Sequence, residues 1–154
     1  MDDVVSQIVG SEKITNIFGY WPSFHDAIVL ELNLLKREVI PEEGKWNFPL
    51  LTLTMHLWEL TREVTPEGFL VLQHQTLVKL QFLNIHDFQM RGFDHNNSIN
   101  QLVIENKPYP NGAPCFSVEM EGFTSCPQIS ATFTCEQIEV IDALPCTDQG
   151  KLIQ

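Results

Sequence analysis

The chain has 154 residues, 44 % of them hydrophobic and 19 % charged, a composition that fits one folded domain and excludes a disordered chain. Nine basic residues stand against twenty acidic ones, and the net charge of −11 argues against a nucleic-acid ligand or an anionic membrane surface. The same charge favours a basic protein partner, because opposite potentials steer association.

Two short helices are predicted at the N-terminus, between residues 3 and 18. The first ends at Gly10, and the second begins at Ser11, a favoured N-cap residue, and ends at Gly19. The chain then runs through "FGYWPSFHDA", residues 18–27, into a long apolar stretch.

From residue 27 onward the apolar pattern has a period of two, which indicates strands. Residues 61–68, "TREVTPEG", are interpreted as a turn, and the strand after it is predicted to begin near Gln75 and reach Ile85. The sets predicted to share a face are Ile28, Leu30, Leu32 and Leu34; Leu51, Leu53, Met55 and Leu57; Thr76, Val78, Leu80 and Phe82; Phe116, Val118 and Met120; and Ile129, Ala131 and Phe133.

Six or seven mostly long strands, joined by hairpin-length connections without crossover helices, predict a mainly β protein. The expected architecture is an antiparallel sandwich or a strongly curled sheet with a short N-terminal helical segment, or α+β if the helices are counted. We expect a single domain over residues 1–154, with a helical segment at 1–26, a β-rich body at 27–146 and a tail at 147–154.

The N-terminus, "MDDVVSQIVG", carries two acids where a secretory signal would be basic, and no apolar run reaches the roughly 18 residues of a membrane span. A cytoplasmic location is therefore predicted. The four cysteines are Cys115, Cys126, Cys135 and Cys146. Their wide spacing favours reduced thiols over two disulfides or a zinc site, and neither a metal nor another cofactor is expected.

Two histidine–aspartate pairs, His25–Asp26 and His86–Asp87, are the strongest candidates for chemistry. Neighbouring residues of a strand point to opposite faces, so neither pair is predicted to act as a dyad by itself. If the two pairs converged in space, they could hold a metal ion or exchange protons. A small metal-dependent hydrolase that uses these four residues therefore stays open as an alternative.

The favoured role of the "FGYWPSFHDA" motif is structural. Asp26 can hydrogen-bond backbone amides at the start of the first strand, and His25 can do so from a partly buried position. Trp21 and Phe24 are expected to pack against the base of the sheet, and Pro22 to rigidify the chain before it.

A protein partner could also contact this motif, since Trp and Tyr are preferred interface anchors. A second candidate surface is acidic, because six acids and one base, Lys151, lie between Pro108 and the end of the chain. The predicted contacts are Tyr20, Trp21 and Phe24 from the motif, and Glu119, Glu121, Glu136 and Glu139 from the acidic region.

The stretch "FGYWPSFHDAIVLELNL" resembles the "WPSFHDAEV"-type motif of the immunity protein 50 family of bacterial polymorphic toxin systems. "VKLQFLNIHDFQMRGFDHNNSINQLVI" and "FSVEMEGFTSCPQISATFTCEQIEVIDALP" are similar to the middle and closing strands of that family, so the resemblance spans most of the chain. One departure is that Ile28 and Val29 follow Ala27, and the acidic residue of the motif is delayed to Glu31.

This resemblance implies a small cytoplasmic antitoxin that is not an enzyme. It would bind a cognate toxin domain, usually encoded beside it, and block its active site or the approach of its substrate. The negative charge adds mimicry of nucleic acid as a mechanism against a basic nuclease. A monomer or a homodimer is expected, and a structural β-domain that self-associates through an edge strand is the other alternative.

Overall fold

A computed structural model describes residues 2–37, 48–123 and 128–153 of the chain. The segment "PEEGKW", residues 41–46, whose proline and glycine predict a turn, lies outside these described residues, as does Cys126. Within the described ranges, two short helices precede eight strands. The elements are α1 (Asp2–Ser6), α2 (Glu12–Phe18), β1 (Ile28–Leu35), β2 (Leu50–Val64), β3 (Leu70–Leu83), β4 (His86–Arg91), β5 (Gln101–Asn106), β6 (Phe116–Glu121), β7 (Ser130–Cys135) and β8 (Gln137–Pro145).

The strands form two four-stranded sheets whose neighbouring strands are all antiparallel. The first sheet has the order β1-β2-β3-β8, and the second has the order β4-β7-β6-β5. The chain crosses between the sheets after β3 and again after β7, where Glu136 alone separates β7 from β8. The predicted mainly β, antiparallel architecture with a short N-terminal helical segment is confirmed.

One hydrophobic core joins the two sheets and the helices. Phe82 of β3 and Phe133 of β7 meet edge to face, with ring centroids 5.1 Å apart. From α2, Ile14 and Phe18 are buried in the same core. Since each fully buried aliphatic or aromatic side chain contributes about 1.5–3 kcal/mol, this shared core holds both layers together.

Helix α2 and the link before it lie against β8, whereas α1 contacts β5. Val9 forms a parallel bridge with Glu139, and the Lys13 ammonium donates a hydrogen bond to the carbonyl of Ile141 at 3.0 Å. Ser11 occupies the predicted N-cap position of α2, but its backbone is already helical and its side chain makes no capping hydrogen bond. Neither helix of the described chain is of the length and apolarity that crossing a bilayer requires.

The period-two pattern is confirmed along the inner face of both sheets. The buried members are Leu51, Leu53, Met55 and Leu57 in β2; Thr76, Val78, Leu80 and Phe82 in β3; Phe116, Val118 and Met120 in β6; and Ile129, Ala131 and Phe133 at β7. Their outward neighbours are mostly polar, which is the alternation expected of a sheet with one solvated face.

The predicted face of β1 is wrong at the start of the strand, where Val29 rather than Leu30 is buried. Val29 is buried opposite Met55, but the register with β2 shifts between Val29 and Glu31, so Leu30 is an extra, bulged residue. Leu30 is 46 % exposed, and Leu32 rather than Leu30 returns to the core. A bulge moves every later side chain of its strand to the opposite face, which explains why Val29 before it and Leu32 after it both face the core.

The β2–β3 hairpin is longer than predicted. Residues 61–68 are not a turn as a whole, because β2 continues to Val64 and β3 begins at Leu70 instead of Gln75. The tight connection spans 65–69, where the N–H of Gly68 donates to the Thr65 carbonyl at 2.9 Å. We define residues 59–73 as the distal hairpin.

Candidate functional site

The motif loop, residues 19–27, is tied by its backbone to the segment before and at the start of β5. The N–H of Asp26 donates to the carbonyl of Ile99 at 2.9 Å, and the N–H of Ile99 donates to the carbonyl of Ala27 at 3.0 Å. The N–H of Leu102 donates to the carbonyl of Ser23 at 3.1 Å. These backbone hydrogen bonds fix the motif loop to the second sheet. The strand that follows the loop, β1, belongs to the first sheet.

Two left-handed residues shape the loop. Phe24 has φ 65° and Asp26 has φ 67°, a region that costs a non-glycine residue roughly 1–2 kcal/mol. The Phe24 ring is completely buried and lies 5.6 Å from the Trp21 ring, centroid to centroid. Pro22 is also buried. Burial of Phe24 offsets the backbone strain, and it removes this side chain from the surface that a partner could contact.

His25 and Asp26 do approach each other, contrary to the prediction for strand neighbours. They occupy a left-handed turn, where His25 Nε2 lies 3.5 Å from Asp26 Oδ2. His25 Nδ1–H donates to the carbonyl of Asn100 at 2.9 Å, so Nε2 carries a proton only in the imidazolium form. Both side chains are about half exposed, and an exposed pair of this kind contributes about 0–1 kcal/mol.

His86 and Asp87 do not join that pair to form a metal site. The His86 ring packs against Phe48 with centroids 4.2 Å apart, and its Nε2 is buried without a hydrogen-bond partner among the described residues. Within residues 2–37, 48–123 and 128–153, no group of three or more His, Cys, Asp or Glu side chains could hold a metal ion.

A cleft of about 180 Å³ separates the motif loop from β2. At its edge the Tyr20 hydroxyl donates a hydrogen bond to Glu59 Oε2 at 2.8 Å, and the Gln73 amide donates to Glu59 Oε1. His74 Nδ1 lies 3.5 Å from Glu59 Oε1. We refer to these four residues as the Glu59 cluster. The cleft is lined by Tyr20, Pro22, Ser23, Phe24, His25, Asp26, Leu57, Trp58, Glu59 and Leu60.

The hydrogen bonds of the Glu59 cluster shift the acidity of two of its members. The donors Gln73 and then Tyr20 lower the pKa of Glu59, because they stabilise the carboxylate. The pKa of Tyr20 is raised, chiefly by the same hydrogen bond to Glu59. The two pKa shifts are opposite in direction and have one common cause, because the hydrogen bond stabilises both the deprotonated carboxyl of Glu59 and the protonated hydroxyl of Tyr20.

A β-bulge lies beside the Glu59 cluster. Leu57 pairs with Thr76, but Glu59 pairs with Gln73, so β3 carries one extra residue in this interval. His74 has φ 55° there, and its ring contacts Phe18 of α2 edge to face at 5.8 Å. Bulges bend a strand and redirect side chains, and this one separates the buried half of the hairpin from the distal hairpin.

The predicted acidic contacts do not share one sheet face. Glu119 and Glu121 lie on β6 of the second sheet, where Glu119 is exposed and Glu121 is half-buried. Glu139 lies on β8 of the first sheet, and Glu136 occupies the link between β7 and β8. The set is therefore divided between the two layers.

The three cysteine side chains that the structure describes lie in the protein interior. Cys115, Cys135 and Cys146 are free and buried. Burial, the largest cause, raises the pKa of Cys135 to about 12, and burial also raises the pKa of Cys146. Since the thiolate is the reactive form, Cys135 and Cys146 act as core side chains at neutral pH.

The family model for immunity protein 50 matches residues 10–145. The chain belongs to the immunity protein 50 family. Comparisons with curated proteins and with solved structures gave no significant match. The matched range contains the whole motif loop, the Glu59 cluster and the distal hairpin of this immunity protein 50 domain.

The sequence predicted Tyr20 as a site residue of this domain but missed Glu59, Gln73 and His74. Tyr20 and Glu59 are 39 positions apart and meet only in the folded chain, where the motif loop lies beside β2. A usable signal was present, because Thr65-Pro66-Glu67-Gly68 is a four-residue turn between two β-prone, apolar-rich runs.

We expect the substitution Tyr20→Phe to raise the pKa of Glu59 toward its ordinary value, because one of its two main donors is lost. Carboxyl-carbon NMR titration measures this pKa, and Tyr109→Phe is the matched control. Since the folded-state pKa is lowered, the cluster stabilises the fold above the unfolded-state pKa of Glu59. That stabilisation is lost as the pH falls through the folded-state pKa. An unchanged pKa of Glu59 in the Tyr20→Phe variant would refute the hydrogen bond between Tyr20 and Glu59.

Proposed function

We propose that this protein is an immunity protein that binds and neutralises a cognate bacterial toxin domain. The observation that carries the proposal is the family match over residues 10–145. The protein would act without catalysis, in the cytoplasm, by covering the active site of the toxin or the path of its substrate. The continuous core, which includes Ile8 and reaches Val140, favours residues 1–154 acting as one domain.

The surface of the protein is suited to a basic protein partner. Its net charge of −11 attracts a cationic domain and repels nucleic acid and anionic membranes. Tyr20 is exposed, and Trp21 is half-buried beside it, so both remain proposed contacts. The acidic residues Glu119, Glu121, Glu136 and Glu139 stay proposed contacts as two separate groups.

Co-expression with the toxin domain encoded beside this gene tests the function. We expect cells that produce the toxin to grow when this protein is present, and to stop growing when it is absent. The two purified proteins should form a stoichiometric complex in size-exclusion chromatography. A toxin domain from an unrelated locus serves as the control for specificity. If cells stop growing despite abundant folded protein, and no complex forms, the proposed function is wrong.

A further inference from the structure

The distal hairpin carries the largest concentration of exposed apolar side chains among the described residues. Phe69 is 71 % exposed, Val64 is 61 % exposed and Leu60 is 57 % exposed, and Leu70 and Leu72 are exposed as well. Leu60 pairs with Leu72 and Val64 pairs with Leu70 across the two strands. Two apolar cross-strand pairs and an aromatic tip therefore lie along one short hairpin.

The distal hairpin has no flanking strand in the described structure. The pairing of β1 with β2 ends at His56, and the pairing of β8 with β3 ends at Thr76. Beyond the bulge at His74, β2 and β3 are the only strands of the described chain that continue. An isolated two-stranded hairpin is marginally stable in water, and clustered exposed apolar residues mark interaction surfaces. Both properties point to a surface that another molecule covers.

The charge of the distal hairpin favours a basic partner over a second copy of this chain as the molecule that covers it. The distal hairpin carries Glu59, Glu63 and Glu67 but only one Arg, Arg62. A second copy of the chain would bring another net charge of −11 to an acidic surface, and like charges oppose that association. A partner with apolar side chains at its centre and Lys or Arg at its rim matches both the apolar pairs and the acids.

We propose that the distal hairpin, together with Tyr20 at its base, is the surface that binds the toxin domain. The complementary toxin surface is an apolar patch or groove rimmed by basic residues. This inference rests on the proposed function and adds its location. The Tyr20 hydroxyl, held by Glu59, places the exposed end of the family motif next to the hairpin, so the two features form one continuous surface.

The central test compares two triple variants in calorimetric or interferometric binding to the inactivated toxin domain encoded beside the gene. The test variant is Leu60→Ser, Val64→Ser, Phe69→Ser. The control variant is Leu34→Ser, Leu35→Ser, Phe93→Ser, which changes exposed residues outside the distal hairpin. Leu34 and Leu35 pair with Leu51 and Leu50, at the opposite end of β2. All six side chains are exposed, so circular dichroism should show that both variants fold.

We expect the test variant to bind at least about 30-fold more weakly and the control variant to bind like the wild type. Equal binding by the test variant would overturn the surface while leaving the proposed function intact. Failure of the wild-type protein to bind would overturn both. A wild-type dimer in sedimentation velocity that the test variant dissociates would show that a second copy covers the hairpin, and would also overturn the proposal.

A charge reversal tests the basic rim separately. We expect Glu63→Lys with Glu67→Lys to slow association and to weaken binding by about 10-fold at low salt, with the difference shrinking as salt is added. Both side chains are exposed, so the fold is retained. Association at the wild-type rate in low salt would show that the partner does not present cations to this hairpin.

Discussion

Replacement of Phe24 by alanine is expected to lower the free energy of unfolding by about 3–5 kcal/mol. The Phe24 ring is completely buried and packs against Trp21, so its removal leaves a cavity at the junction between the motif loop and the core. The backbone strain at φ 65° is the same for phenylalanine and alanine, so the loss reports packing alone. Urea denaturation followed by circular dichroism measures the change.

Two further variants make the Phe24 result specific. Phe69→Ala removes the same ring from an exposed position and should change stability by less than about 0.5 kcal/mol. Phe24→Gly should be no more destabilising than Phe24→Ala, because glycine is relieved of the left-handed strain. A Phe24→Ala protein that unfolds like the wild type but no longer binds the toxin would contradict the structural role and support the contact role.

The family motif divides into an internal part and an external part. Phe18, Pro22 and Phe24 are buried and fix the junction between α2 and β1, whereas Tyr20 and His25 are exposed. The sequence could predict the junction, because aromatics, proline and an aspartate before an apolar run are a local pattern. It could not predict which aromatic faces outward, since that depends on the left-handed turn at Phe24.

The strands show the same limit. In β2, β3 and β6 the alternation continues without a bulge over the buried residues, and the predicted faces are right. In β1 the prediction fails at Leu30, because a bulge is set by the register with β2 and not by the residues of β1. The bulge at His74 likewise depends on the register with β2, so the start of the distal hairpin could not be predicted from the residues of β3 alone.

The Glu59 cluster and the distal hairpin were missed for a related reason. Their members are ordinary strand and turn residues. They lack flanking strands only because the pairing of β1 with β2 and of β8 with β3 stops beside the bulge. A sequence pattern describes one strand at a time, whereas exposure depends on which neighbours are present. The acidic set was predicted from charge density along the chain, and the two-layer topology divides it between β6, β8 and the link before β8.

Gly92→Ala is expected to lower the free energy of unfolding by about 2–5 kcal/mol. Gly92 has φ +79°, and a Cβ atom there would lie 2.3 Å from the carbonyl oxygen of Gln128. A left-handed alanine costs about 1–2 kcal/mol, and forced displacement of a packed backbone adds about 1–3 kcal/mol. Gly92 directly follows β4, so the substitution presses on the chain that enters β7, the neighbour of β4 in the second sheet.

Gly68→Ala separates these two contributions because it shares the conformation of Gly92 but not its neighbours. Gly68 has φ +93°, and a Cβ atom there would meet no described heavy atom within 4 Å. It should therefore lose only the conformational part, about 1–2 kcal/mol. In both cases the next residue is an exposed phenylalanine, Phe69 or Phe93. Denaturant midpoints of the two variants provide the comparison. Equal losses would mean that the backbone before β7 yields without cost at Gln128, and would contradict a second sheet anchored by close contact between these two backbone segments.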